Sequence, residues 1–248
     1  MGTPAMAAIP KRKRNESSEC QRCVLHNLAA CPARDPASQD ASAAWIDSIG
    51  LQPDSVLFNL GERANAVYCL RSGVMKLVRY DLGGNQRIVR ILTAGDLAAL
   101  ESAFEHAQQH TAVAVTQVQL CRIPAPQFRQ WTDTNDEIRR RLLAQSRSAL
   151  RKADYWLSEL VGNTIPARVR LARLLLQLRV GDSDEIHRLR LVDYGGILGI
   201  APETACRILN ELMDDGVLTK AGRTRDGRLF RGDIEALMQL ASEETAAA

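Results

Sequence analysis

Three features of the sequence predict an α+β fold: β-prone runs cut by glycines at short intervals, one long helix with two apolar stripes, and short helices followed by a basic hairpin. In chain order they read as an N-terminal β-roll of the cupin-like or jelly-roll kind, a single long helix, and a C-terminal winged helix-turn-helix. With 248 residues the chain has room for two ordinary domains and a sizeable core. Its 46% hydrophobic and 25% charged content is that of a globular protein, and no membrane partner is expected, because no run approaches a spanning apolar stretch. The net charge of +3 is small, so any nucleic-acid contact must come from a local cluster of Lys and Arg. Aromatic residues at 4% disfavour a stacking platform for single strands.

Residues 1–40 form a cysteine-rich segment without helical or strand periodicity, so something other than a core must order them. The first residues lack the layout of a secretory signal, which predicts a cytoplasmic protein. Its six cysteines, Cys20, Cys23, Cys31, Cys69, Cys121 and Cys206, are then reduced, which points to metal binding or thiol chemistry rather than structural disulfides. The run Lys11 to Arg14 reads as a solvated tail and is assigned no function. Residues 41–134 form the roll, with β-prone runs at 67–70, 74–80, 87–92 and 112–123. Gly61, Gly73, Gly83, Gly84 and Gly95 punctuate them, and Gly83-Gly84-Asn85 suits a tight hairpin.

Residues 135–162 read as one helix, with Asp136 and Glu137 in its first turn and Gly162 past its end. Leu143, Ser146, Leu150, Ala153, Leu157 and Leu160 follow the alternating spacing of a coiled-coil seam. Ile138, Leu142, Ala149 and Trp156 lie on an adjacent line. Either both stripes pack inside their own domain, or the first joins a parallel homodimer while the second covers the roll; the second arrangement is the expectation. Arg139, Arg140, Arg141, Arg147 and Arg151 form an intervening face that should stay wet.

Residues 163–248 make the last domain. Pro166 suits the first position of a helix carrying Leu171, Leu174, Leu175 and Leu178, Gly181 stops it, and 182–190 reads as a polar loop. Asp193 can cap a short helix ended by Gly199, and Pro202 opens another that runs to about Met213. That second helix buries Ala205, Ile208, Leu209 and Leu212 and exposes Glu203, Cys206, Arg207 and Asn210. A guanidinium can bond guanine O6 and N7 together and a carboxylate can accept from cytosine N4, so Arg207 and Glu203 can read a G·C-containing step of double-stranded DNA. A hairpin carrying Lys220, Arg223, Arg225, Arg228 and Arg231 follows, suited to phosphates, and Asp233 opens a last helix. The alternative is a small α+β domain with a solvated basic loop.

Leu70-Arg71-Ser72-Gly73, Ala94-Gly95-Asp96-Leu97, the long helix, and Leu198-Gly199 followed by Glu203-Thr204 and Arg207 together resemble the CRP/FNR superfamily of bacterial transcription regulators. The resemblance spans nearly everything after residue 45 and implies a homodimer that binds palindromic operators with TGA-type half-sites and contacts RNA polymerase. In cyclic-AMP-binding members an arginine of a phosphate-binding cassette holds the cyclic phosphate. The matching segment here, residues 100–112, has no arginine, so no cyclic nucleotide is expected.

The cysteines are similar to those of the oxygen-sensing FNR group, with the spacing of its FnrN/FnrL subgroup: C-x2-C-x7-C at Cys20, Cys23 and Cys31, then Cys121 at the end of a roll strand. The resemblance assigns these four as ligands of an oxygen-labile 4Fe-4S cluster and leaves Cys69 and Cys206 out. It implies an anaerobic regulator in which the cluster ties the N-terminal segment near the long helix, and its loss misaligns two recognition helices ~34 Å apart. Zinc on the same thiols, a thiol-oxidation switch, or a small ligand inside the roll are the alternatives. His26 reads as a loop residue and Cys69 as a small buried hydrophobe. An enzyme is not expected, since no Gly-rich phosphate loop, nucleophile elbow or His-Glu-x-x-His motif occurs.

Three positions depart from the family pattern. Cys206 stands where a Ser is usual, Ala201 where a Ser or Thr caps the recognition helix, and Ala153 where an acidic residue is frequent in the seam. With Ala153 there is no acidic pair to oppose dimerisation, so the dimer is expected to outlast the cluster.

Overall fold

The structure, a computed structural model, describes residues 13–14, 46–80, 86–104, 107–161, 165–224 and 227–243. The Gly83-Gly84-Asn85 turn expected from the sequence lies outside these residues. The chain divides into two units, residues 1–77 with 91–148 and residues 78–90 with 149–248.

The roll makes up most of the first unit, and the end of its fifth strand and most of its sixth fall within residues 78–90 of the second. Its strands are β1 (Lys13–Arg14), β2 (Asp47–Leu51), β3 (Val56–Phe58), β4 (Ala66–Ser72), β5 (Met75–Tyr80), β6 (Gln86–Leu92), β7 (Leu97–Ala98), β8 (Thr111–Ala114) and β9 (Val118–Pro124). They form two sheets, ordered β1-β2-β9-β4-β7 and β3-β8-β5-β6. The run expected as one strand over 112–123 is two, because the chain turns at 115–117 to change sheets. Val115 N–H donates to the Val74 carbonyl at 2.8 Å, and Thr116 Oγ1 accepts from Val74 N–H at 2.9 Å. This crossing needs a glycine next door. Gly73 has φ +83°, and a Cβ there would lie 2.2 Å from the Gln117 carbonyl oxygen. Lys13 and Arg14, expected in a solvated tail, pair with Ser48 and Asp47. They add to the outer edge of β2, whose backbone groups would otherwise lack a strand partner.

A helix absent from the sequence reading, α1 (Ala125–Thr134), follows β9 directly. Ala125, Phe128, Trp131 and Thr132 recur at helical spacing and are buried, although polar residues dominate the segment. The long helix α2 (Asp136–Tyr155) then begins, with Asn135 Oδ1 accepting from Ile138 N–H at 3.1 Å. Leu142 is buried in the core formed by Val67, Cys69, Cys121, Ile123, Phe128 and Trp131, and Ile138 packs against it. This part of the second stripe covers the roll, as expected. Arg139 is exposed yet donates to the Thr132 and Asp133 carbonyls at 3.0 and 3.1 Å, so it secures the end of α1 rather than only facing water.

In the second unit the helix widens into a π-turn, Trp156–Leu160, where Val161 N–H donates to the Trp156 carbonyl at 3.2 Å. Trp156 and Leu160 are buried here. Leu160, read as a seam position, is a core residue, because the added residue of the π-turn rotates it off the line. Helix α3 (Ala167–Gln177) has Pro166 as its N-cap, one position earlier than expected, and buries Leu171, Leu174 and Leu175. The loop expected at 182–190 contains a strand, β10 (Glu185–His187), which exists because Ile186 pairs with Phe230 across the sheet. Helices α4 (Leu191–Leu198) and α5 (Pro202–Asp214), strands β11 (Leu218–Thr224) and β12 (Gly227–Gly232), and helix α6 (Ile234–Ser242) complete the unit. Asp193 is a buried first-turn residue of α4, bonded to Arg190, and Arg190 is the N-cap. Asp233 caps α6 as expected, accepting from Ala236 N–H at 3.0 Å.

Arg170 sits inside this unit, 4% exposed. It donates to the carbonyls of Ile165 and Leu160, both at 3.1 Å, and to that of Leu198. Burial lowers its pKa from the usual arginine value.

Two substitutions test these constraints by chemical denaturation. Gly73→Ala is expected to cost on the order of 2 kcal/mol or more, since the positive φ and the carbonyl contact both oppose a Cβ. Arg170→Met, which keeps the stem and removes the donors, is expected to cost about 2 kcal/mol by leaving buried carbonyls unmatched. An unchanged denaturation midpoint for either variant would contradict the corresponding constraint.

Candidate functional site

Helices α4 and α5 form the helix-turn-helix read from the sequence. Gly199 closes α4 with φ +64°, and Ala201 is the N-cap of α5 without a side-chain cap bond. Gly195 of α4 lies close to the turn and the start of α5: a Cβ there would lie 2.7 Å from the Ile200 carbonyl oxygen and 3.5 Å from Pro202 N. Helix α5 buries Ala205, Ile208, Leu209 and Leu212 against the unit. With that side fixed, the periodicity turns Glu203, Arg207 and Asn210 outward, with Cys206 half-buried between them. These residues, with Leu191 and Pro202, line an open groove along α5. Asn210 Nδ2 points to Cys206 Sγ at 3.8 Å, a weak contact that places sulfur and amide side by side on the reading stripe.

Charge on this face is arranged in a way the sequence reading missed. Arg207 Nη1 bonds Glu211 Oε1 at 2.6 Å, one turn along α5. The other carboxylate oxygen, Oε2, accepts from Arg168 Nη1 of α3 at 3.3 Å, and Arg168 Nη2 bonds Asp215 Oδ2 at 2.6 Å. The pKa of Arg168 is raised, chiefly by its hydrogen bond to Asp215. The spacing of Arg207 and Glu211 was visible in the sequence; Arg168, 43 residues from Glu211, left no local signal.

The hairpin β11–β12 pairs Lys220 with Phe230 and Arg223 with Arg228. Lys220 and Arg228 are exposed, and Arg231 is held by Asp184 at 3.0 Å, so it is less available to phosphates than its sequence suggested. Arg225 and the Arg223 side chain lie outside the described residues. Arg188 stacks over the Phe230 ring at 5.3 Å and steadies the base of the hairpin.

Of the expected seam, Leu143, Leu150 and Leu157 are 66%, 63% and 65% exposed. Ser146 is exposed and Ala153 half-buried. The described part of the chain therefore leaves the three leucines largely uncovered, unlike the second stripe on the same helix.

Cys121 lies on β9, buried, with β2 and β4 paired on either side. Its cross-strand neighbour on β4 is Cys69, also buried. Cys20, Cys23 and Cys31 lie outside the described residues, and among the described residues no cluster of three His, Cys, Asp or Glu side chains is arranged for a metal. In the segment that would face a cyclic phosphate, Ser102 accepts from Gln108 Nε2 at 2.9 Å and Thr111 Oγ1 from Leu60 N–H at 3.0 Å. His110 Nδ1 stands 3.8 Å from Glu101. Among the described residues of this segment the one basic side chain is thus an imidazole set beside a carboxylate, a poor fit to a phosphate.

Among the described residues no helix is long and apolar enough to cross a membrane. Residues 49–135 match the cyclic nucleotide-binding domain and residues 169–240 the Crp-like helix-turn-helix domain. The cAMP-activated global transcriptional regulator CRP of Escherichia coli O6:H1 is 29% identical over 180 residues, covering 68% of this chain and 84% of its own length. The anaerobic regulatory protein of Haemophilus influenzae is 26% identical, covering 70% of this chain and 69% of its own. The structure of FixK2 from Bradyrhizobium japonicum is similar in fold, with a TM-score of 0.68 at 21% identity over 82% of this chain and 99% of that one. A roll of the cyclic nucleotide-binding type followed by a Crp-like helix-turn-helix places the chain in the CRP/FNR family.

Proposed function

We propose that this chain is a DNA-binding transcription regulator that grips palindromic operators as a homodimer and is controlled by an oxygen-labile 4Fe-4S cluster. One observation carries the DNA-binding part: Glu203, Arg207 and Asn210 project from a helix whose opposite side is fully packed. Arg207 supplies the fork for a guanine, Glu203 an acceptor for cytosine, and Asn210 an amide for an adenine. Lys220 and Arg228 of the hairpin supply phosphate contacts that set register without reading sequence. The uncovered Leu143, Leu150 and Leu157 support a parallel seam with a second copy, which would present two reading helices on one DNA face. RNA polymerase is the further partner this reading implies.

Cys20, Cys23, Cys31 and Cys121 would hold the cluster, which when bound supplies an oxygen-sensitive cross-tie between the N-terminal segment and β9. The donor set fits, being four thiols with little else. The described member fits as well: Cys121 is on a strand paired on both edges and lies in the same core as Leu142 of α2. Displacement of Cys121 would therefore be felt by the helix that carries the leucine stripe.

A second reading has the N-terminal cysteines bind zinc or act as a redox switch while the roll takes another small ligand. The match of residues 49–135 to a cyclic nucleotide-binding domain favours it. Against cyclic AMP itself stands the absence of an arginine in residues 100–112. Protein purified without oxygen is expected to be brown, with iron and sulfide each about four per chain. The Cys121→Ser variant should lose both. Colourless protein with stoichiometric zinc, or calorimetric binding of cyclic AMP, would favour the second reading.

On duplexes with inverted TGA half-sites, Arg207→Ala is expected to cost about 1 to 3 kcal/mol and to relax discrimination at one base position. Lys220→Ala should weaken all sequences alike and lower the salt slope by about 1. Equal loss at every position in both variants would remove Arg207 from base reading.

A further inference from the structure

We propose that Glu211 is a positioning residue that aims Arg207 at its base, and that Arg168 holds Glu211 in place for that task. This rests on the DNA-reading assignment of α5.

Arg207 is 66% exposed, and an arginine in that setting samples many rotamers. Here Glu211 takes one end of its fork, Nη1, at 2.6 Å. Nη2 and Nε remain as two adjacent donors, the number that guanine O6 and N7 require. The pair is poorly explained by folding stability. Exposed ion pairs contribute little, and an arginine four residues before a glutamate is the weaker helix orientation. A carboxylate on the DNA side also repels phosphate, so its presence lowers sequence-independent affinity. What it offers in return is a preset guanidinium.

Glu211 itself would be a mobile side chain without a second tie. Arg168, in the first turn of α3, supplies it at 3.3 Å and is anchored in turn by Asp215 at 2.6 Å. The four charges form one run, Asp215–Arg168–Glu211–Arg207, in which the two acids belong to the C-terminal half of α5 and its cap. The aim of the reading arginine is therefore set partly from another helix, α3. A shift of the first turn of α3 is felt at Arg207 through two ion pairs and no backbone movement of α5.

The test is fluorescence anisotropy without oxygen, using a duplex with inverted TGA half-sites, a series with each half-site base pair changed, and a random-sequence duplex. With Glu211→Ala, discrimination at the G·C pair read by Arg207 should fall on the order of fivefold, with other positions unchanged and random-sequence affinity raised. Glu211→Gln, which keeps the shape and one acceptor, should recover part of the discrimination. Arg168→Ala should reproduce the loss of discrimination without the gain on random sequence. If the unchanged chain discriminates but the Glu211 and Arg168 variants discriminate equally well, or lose affinity uniformly, the positioning role fails while DNA reading stands. If the unchanged chain itself distinguishes none of the duplexes, the reading of α5 fails and this role falls with it.

Discussion

A buried guanidinium bonded to backbone carbonyls organises the second unit. Arg170 is taken out of water and satisfied by Leu160 at the end of the π-turn, Ile165 just before α3, and Leu198 at the end of α4. A charge in that position tolerates no drift of its partners, because each lost bond leaves both a donor and an acceptor dry. Its neighbours on the same helix extend the effect. Arg173 joins Glu159 of the π-turn to the Ala241 carbonyl of α6, and Arg168 reaches the carboxylates of α5. Helix α3 thus uses three arginines for three connections, one buried and two half-buried.

That arrangement makes the geometry of α5 a property of the whole unit. The apolar side of α5 fixes its rotation, the close approach at Gly195 fixes its separation from α4, and Arg168 fixes the charge on its outer face. Chemistry on such a face can be specific because the scaffold leaves it few alternatives. The roll is organised differently: an apolar cluster lies under α1 and α2, and the two thiols Cys69 and Cys121 pair across β4 and β9 inside it.

The legible parts of the sequence were those written in local periodicity. The four apolar positions of α5, its opening proline and the glycine ending α4 are all set by neighbours a few residues away, and the structure places them accordingly. The same holds for the cap at Asp233. What escaped was nonlocal. Strand β10 has one buried apolar residue, Ile186, and exists because β12 is there to pair with it. Helix α1 hides a buried stripe under a polar composition. Leu160 kept the seam spacing in the sequence but lost the position to a π-turn that spacing cannot reveal. At the reading face, residue types were legible, whereas the Arg168–Glu211 tie depends on helices brought together by folding.

Leu143, Leu150 and Leu157, one every seventh residue, are each left about two-thirds bare by the chain that carries them. Covering a leucine is worth roughly 1.5 to 3 kcal/mol, so on the dimeric reading a solitary protomer carries a sizeable unmet hydrophobic term. Mass action then makes abundance itself an input: dilute protein spends more of its time with a wet stripe, and crowding the same copies together raises the paired fraction before any signal arrives.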